Sequence, residues 1–507
     1  MAREVDHAQL LESAQRERAE QRLGWLREPA SAAREAPARE RLFSPEGEES
    51  LEQAVRERRY SSAEWQFLPR QLGELARASV LEDGQKHMTE WLATRLAIGS
   101  EAKLPAELLT WLADPAHQDH GATALLRALD GGLAKHASFY VDLQQRADFA
   151  CAEQLRAAKR FDLPVVETEP EPAGRAKLTQ QDVVTPASTT GQRAAAWLEG
   201  TDDAMRELTG WFIKRAHMAG ATGESELGTL ITALRAKQFD GLARPQRRLQ
   251  RLAEGARRLG FDRDMGARMR ALTADPQLLP LPNCVAVAVP EAVRVVQSSL
   301  DYGVLSELAG AQSIGEALAL ALVSPSVGPV LARPLGHTVS AAFGGMFLQL
   351  RAEPDYLRRV DGLDREPSRQ MARHVALWIM LRVRLAAAFA YAMEQPARSS
   401  EERISQLMAA AERALGRELP AGVVALGLIT HERYGQTFEA IARGCELHAA
   451  LRERYDTDFY LNPRVSEVLR GAAARGNQLD AAGFVRELRP RVDTTAAGIA
   501  RLIELLG

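Results

Sequence analysis

Apolar residues recur at helical spacing through most of this 507-residue chain, and the period breaks clearly only once. From about Glu49 to Phe161 one amphipathic segment follows another. Trp65, Phe67, Leu68, Leu72, Leu75 and Ala76 mark one face, and Trp91, Leu92, Leu96 and Ile98 the next. Ala196, Leu198, Met205, Leu208 and Trp211 resume the pattern beyond Gly191, and Leu249, Leu252 and Leu259 continue it. The break comes at Asn283–Pro290, where small and β-branched residues alternate, with Val293–Val296 following three residues later. Two short strands inside a helical chain predict a mainly α fold with a small two- or three-stranded sheet. That sheet should lie beside a helix beginning near Tyr302. No internal repeat is visible.

The punctuation predicts four stretches. Residues 1–48 form a charged segment rich in Ala, Arg and Glu, expected to be a solvated helix or partly disordered. Residues 49–162 read as a helical region. Residues 163–190, with Pro164, Pro170 and Pro172 among Glu167, Glu169 and Glu171, read as a linker. Residues 191–507 read as a second helical domain.

Charge narrows the function classes. With 64 basic and 67 acidic residues the net charge is -3, which gives no drive toward nucleic acid or an anionic membrane surface. The three cysteines, Cys151, Cys284 and Cys445, are too few and too scattered for a disulfide framework or a cysteine-rich metal site. The first forty residues hold no apolar core of a signal peptide. The apolar runs near residues 317–332 and 375–392 are interrupted by Pro, Gly or Arg. A cytoplasmic protein is expected.

The stretch Asp301–Leu350 organises the second region. Leu305, Leu308, Ala309, Ile314, Leu318 and Leu322 predict a buried helix; a loop with Pro325, Pro329 and Pro334 follows, then a second buried helix through Ala341, Ala342, Gly344 and Gly345. The segment Ser306-Glu307-Leu308-Ala309-Gly310 means little alone. Its context is the ordered succession of strand pair, helix, proline loop, second helix and Leu357-Arg358-Arg359.

That order resembles the zincin core of the thimet oligopeptidase and oligopeptidase F group of metallopeptidases, particularly the shorter bacterial ones. Phe239-Asp240-Gly241, the helical stretch Tyr434–Leu451 and the stretch Tyr455–Arg475 extend the resemblance over about Ala194–Gly507. It implies a two-lobed helical body around a cleft that recognises extended peptides. In that core a helix carries His-Glu-x-x-His and a second helix carries a metal-binding Glu. Three ligands leave a fourth zinc position for water, and the Glu beside the first His takes that water's proton.

This chain departs from the pattern at every ligand. The resemblance places Ser306 and Gly310 at the two His positions and Ala341 at the third ligand. Gly and Ala offer no donor, and a neutral Ser hydroxyl is a poor one. Glu307 alone remains, as the remnant general base without a metal-activated water. No cofactor and no metal are expected. The residues that the resemblance places near the cleft are Glu307, His337, His431 and Tyr434.

Other constellations read as structure. Glu316 lies nine residues after Glu307, about 180° away around the same helix at roughly 100° per residue. Glu307, Glu316, Cys284, His337 and His374 are the nearby candidates for a replacement metal site, but His337 reads as a capping or loop-surface residue and Cys284 as a buried strand thiol. His117 and His120 near Asp114 fall in a polar turn. Arg244, Arg247, Arg248, Arg251, Arg257 and Arg258 read as a solvated basic face. The expected function is a catalytically inactive peptidase homologue that binds a peptide or protein partner. Its rivals are an enzyme using Glu307 for different chemistry and a structural subunit with the cleft filled. Oligomeric state is not legible.

Overall fold

The computed structural model describes residues 6–28, 37–92, 94–98, 101–104, 107, 126–127, 130–160, 190–218, 230, 236–239, 245–275, 283–297, 303–333, 339–430, 434–489 and 494–506. As the period predicts, the chain is mainly helical with a small sheet. Among the described residues a smaller apolar cluster lies mostly in the N-terminal part and takes in Val330, while a large one, mostly C-terminal, also takes in Leu81, Tyr140, Val141, Leu143 and Ala147.

The N-terminal part contains α1 (His7–Arg27), α2 (Ser62–Leu92), a short hairpin of β1 (Leu96–Ile98) and β2 (Glu101–Lys103), and α3 (Ala137–Arg160). Leu10, Leu11 and Ala14 of α1 pack with Leu68, Leu72 and Leu75 of α2 and Ala158 of α3. The charged opening therefore holds a docked helix: Leu10, Leu11 and Ala14 are buried, and the Asp6 carboxylate caps it by accepting from the Ala8 N–H at 3.0 Å. Leu96 and Ile98 do not continue α2, as their spacing suggests. The Thr94 N–H bonds back to Trp91 at 2.9 Å, a tightened turn after which the backbone becomes extended. The linker stretch lies outside the described residues except for Thr190.

The C-terminal part runs α4 (Thr190–Met218), α5 (Pro245–Arg258), β3 (Met269–Thr273), β4 (Asn283–Ala288), β5 (Ala292–Gln297), α6 (Val304–Ala321), α7 (Val339–Leu350), α8 (Pro354–Arg359), α9 (Arg365–Glu394), α10 (Ser400–Leu415), α11 (Tyr434–Tyr455), α12 (Pro463–Ala474) and α13 (Thr494–Leu506). The sheet order is β3-β5-β4, with β5 parallel to β3 and antiparallel to β4. Cys284 faces Val295 across the hairpin, inside the predicted strand pair. The third strand, β3, carries a single β-branched residue; its pairing with Val293–Gln297 specifies it, not its own propensity. β4 and β5 pack on α6, α1 lies against β4, and the N–H of Asp275, just beyond β3, donates to the Leu26 carbonyl at the end of α1 at 2.8 Å.

Polar side chains tie the two parts together. Gln71 of α2 donates to the carbonyls of Val330 and Arg333 at 2.9 and 3.1 Å, in the proline loop. Arg333 in turn donates to Ala286 and Val287 carbonyls of the β4 end, both at 2.7 Å. Helix α9 is long and apolar enough to cross a membrane, but most of its apolar stretch is buried among other helices. Its Arg384 donates to the Leu198 and Ala414 carbonyls, each at 2.8 Å, tying α4 and α10 to it.

Glycines set the spacing of the central helices. A methyl at Gly444 of α11 would sit 2.3 Å from the Gly345 backbone of α7, and one at Gly345 would sit 2.3 Å from the Ala440 carbonyl. The two helices thus meet backbone to backbone. Further along α11, His448 is fully buried against Phe459, at 5.3 Å between ring centres. Its nearest carboxylate, Glu353 at 3.3 Å, is already engaged by Arg452 and Arg501. Burial, aided by Arg452, pushes the His448 imidazole down to about 3.

Two outcomes follow from this packing. Gly444→Ala should lower stability by about 1–3 kcal/mol, because backbone, not a movable side chain, must yield. Gly210→Ala, on the exposed face of α4 with nothing within 4 Å, should be neutral or stabilising; urea midpoints compare them. The depressed His448 value works in the opposite sense to a salt-bridged histidine. Below about pH 6.5 the unfolded chain binds a proton that the folded chain refuses, so stability falls as pH drops from 6.5 toward 3. His448→Gln should flatten that acid limb in a series of urea titrations; an unchanged slope would contradict the assignment.

Candidate functional site

Nearly every side chain of α6 is buried, and Glu307 in its first turn has no exposed surface. An ionised carboxylate taken wholly out of water must be met by positive charge and hydrogen-bond donors. Both are supplied from outside the helix. Arg251 of α5 donates to Glu307 Oε2 at 2.5 Å, and Arg351, which follows α7 directly, donates to Oε1. Arg351 also pairs with Asp361 at 2.5 Å, and its guanidinium lies over the Tyr356 ring at 5.6 Å. Tyr356 in turn meets Tyr460 edge to face, 5.1 Å between centres.

The network is dry. The Arg351 side chain is 2% exposed and that of Arg251 18%. Burial alone would pull the Arg351 guanidinium down, but the Asp361 and Glu307 carboxylates outweigh it and hold the group above its usual range. Burial pushes the Tyr356 phenol up, against the pull of Arg351. Removing one partner of such a buried pair costs about 3–5 kcal/mol, since the other is left without compensation.

The positions that the resemblance assigns to metal ligands do not fit a zinc ion. Ser306 and Gly310 are buried in α6, and Ala341 is half-buried in α7. A side chain at Gly310 would start 2.8 Å from Leu252 Cδ1 and 3.1 Å from the Gln297 amide nitrogen, so Leu252 and Gln297 crowd that face of the helix. Among the described residues no three His, Cys, Asp or Glu side chains converge as a ligand set.

The expectation that Glu307 lines a cleft needs correction: two guanidinium groups cover both its oxygens and no surface remains. His337 and His431 lie outside the described residues, as do Asp114, His117 and His120. Tyr434 is the first residue of α11, and the described structure does not extend to its side chain. His374 is buried, with Phe212 and Phe239 edge-on at 5.9 Å each. Glu316 points away from Glu307, as the helical phase predicts. It accepts from Gln312 at 2.9 Å, and Gln312 accepts from Arg382 of α9 at 2.7 Å. Burial raises the Glu316 carboxyl, and burial followed by the Glu316 charge raises the Cys284 thiol. A thiol held protonated in this way is a poor nucleophile.

Three residues of the network were not singled out by sequence reasoning. Arg251 was read within a solvated basic face, a reading that suits Arg257 and Arg258, whose side chains are 42% and 52% exposed. Arg248 and Arg251 instead turn inward, buried and half-buried. Arg351 and Asp361 carried no motif. The available signal was Glu307 itself: a carboxylate set among Leu305, Leu308 and Ala309 on a buried helix requires a cation from elsewhere in the chain.

No protein-family model matches this chain, and no curated protein does. Its likeness is to solved structures. PZ peptidase A with inhibitor 2 superposes with a TM-score of 0.57 at 12% identity, over 92% of this chain and 83% of that one. A protein assigned as an oligoendopeptidase F from Bacillus anthracis str. Ames does so with a TM-score of 0.56 at 11% identity, over 96% and 87%. These similarities establish the two-lobed helical peptidase fold. They extend over the N-terminal part as well as the stretch in which the sequence resemblance was found.

Proposed function

We propose that this chain is a pseudopeptidase: it keeps the oligopeptidase fold, does not hydrolyse peptides by metal chemistry, and acts by binding a peptide or protein partner. The observation that carries the first half is the state of Glu307. In the resemblance this is the residue that deprotonates a metal-bound water. Here both of its oxygens accept from guanidinium groups and it has no exposed surface. A general base must reach a proton on a reacting group, and among the described residues both oxygens of this one are taken by Arg251 and Arg351. Loss of donors at Ser306, Gly310 and Ala341 agrees with it. The binding half follows from what the fold keeps, since losing ligands removes the chemistry without removing the two-lobed scaffold.

The same observation weighs against an enzyme that uses Glu307 for other chemistry. A structural role is the second reading, and the close contact of Gly345 with Gly444 favours it, because backbones packed this tightly leave no room between α7 and α11. The composition and the buried α9 support the cytoplasm as the proposed compartment.

The test is a peptidase assay with zinc supplied. Purified protein incubated with zinc chloride and internally quenched oligopeptides should give no turnover above buffer, and elemental analysis should find no stoichiometric zinc. Chelator-sensitive hydrolysis would end the proposal. Fluorescence polarisation against a peptide library should show saturable binding. Its absence, with the chain recovered in a larger assembly, would favour the structural reading.

A further inference from the structure

The buried network does more than seal Glu307. We infer that Arg351, assisted by Arg251, supplies from within the chain the positive charge that a metal dication supplies in a metallopeptidase of this fold, so that this centre is assembled without metal and is closed to one. The inference rests on the pseudopeptidase reading for the comparison with a metal. Its physical content concerns these four side chains alone.

Charge and topology carry it. Arg251 and Arg351 set two positive charges against the carboxylates of Glu307 and Asp361, so the group is balanced as it stands. A zinc ion added beside it would bring two further positive charges into an enclosed centre whose two carboxylates are already matched by guanidinium groups. The four residues also come from four places: α5, the first turn of α6, the end of α7 and the turn after α8. A metal joins separate segments through its ligands; here a guanidinium does so. Arg351 is the better placed of the two cations. It bridges both carboxylates, lies over Tyr356 and is almost completely enclosed. Arg251 meets one carboxylate and keeps some exposure to water.

Burial and charge both put Arg251 last; only charge puts Arg351 above the fully buried Glu307. Thermal unfolding of the full chain is followed for wild type, Arg351→Met, Glu307→Gln and Arg251→Met. Arg351→Met should lower the midpoint most, by roughly 5 °C or more, because it strands Asp361 and leaves Glu307 with Arg251 alone. Glu307→Gln should follow, since Arg351 keeps Asp361, and Arg251→Met should cost least. Wild-type midpoints in equimolar zinc chloride and in EDTA should coincide. If Arg351→Met does not fold, Arg351→Lys decides: it keeps the charge and should fold, at a midpoint below wild type. A Lys variant no better than the Met variant assigns Arg351 to packing and overturns the inference. So does Arg251→Met proving as costly as Arg351→Met, or a rise of the wild-type midpoint with zinc. Peptide hydrolysis by the wild type would instead refute the functional reading and leave the ranking intact, so the two failures are separable.

Discussion

A carboxylate without access to water is the constraint on which the centre of this protein depends. Glu307 is fully buried on a helix whose other side chains are mostly apolar. Such a charge is tolerated only where cations and donors reach it with good geometry. Meeting that demand fixes several segments at once. α5 must approach α6 closely enough for Arg251 to arrive, and α7 must end so that Arg351 enters the same space. The chain must then turn beyond α8 to bring Asp361 to the far side of Arg351. Tyr356 and Tyr460 close the group from the side of α8 and the segment before α12.

The fold class was legible because helical amphipathicity is local. Residues three and four apart report their own face, so α4 can be read from the chain directly, whereas α6 and α7, buried nearly all round, show as apolar stretches. The β4–β5 hairpin was legible for a similar reason, since its alternation of small and β-branched residues lies within fifteen positions. β3 was not, because Met269–Thr273 becomes a strand only through parallel pairing with β5. The docked α1 was missed because a handful of buried leucines was outweighed by a charged average. Leu96 and Ile98 were drawn into a helix by spacing that two residues cannot specify.

Within the candidate site the division is sharper. The sequence could indicate that donors are missing at Ser306, Gly310 and Ala341, since that is a matter of residue identity. It could not indicate what replaced them. The partners of Glu307 lie 56 residues before it and 44 after it, and no local period encodes a pairing across such distances. The basic run misled for the same reason. Arg248 and Arg251 share a helix and a composition with Arg257 and Arg258, yet the latter two are exposed while Arg248 is buried and Arg251 half-buried. Whether an arginine on a helix is solvated depends on what the opposite surface offers, which is a tertiary property.

The surroundings of Gly310 show why loss of the ligands is more than three exchanged side chains. In a working metal site the ligand-bearing face of the helix must remain open to an ion and a substrate. Here Leu252 Cδ1 and the Gln297 amide lie 2.8 and 3.1 Å from where a Cβ at Gly310 would begin. One of them comes from α5, the helix that also contributes Arg251, and the other from the end of β5. On the opposite side α6 presses against α7, where a methyl at Gly315 would fall 2.6 Å from the Phe343 carbonyl. Interiors packed at this density answer an added side chain with strain across several elements at once. Donor loss, inward arginines and helices in backbone contact therefore support one another.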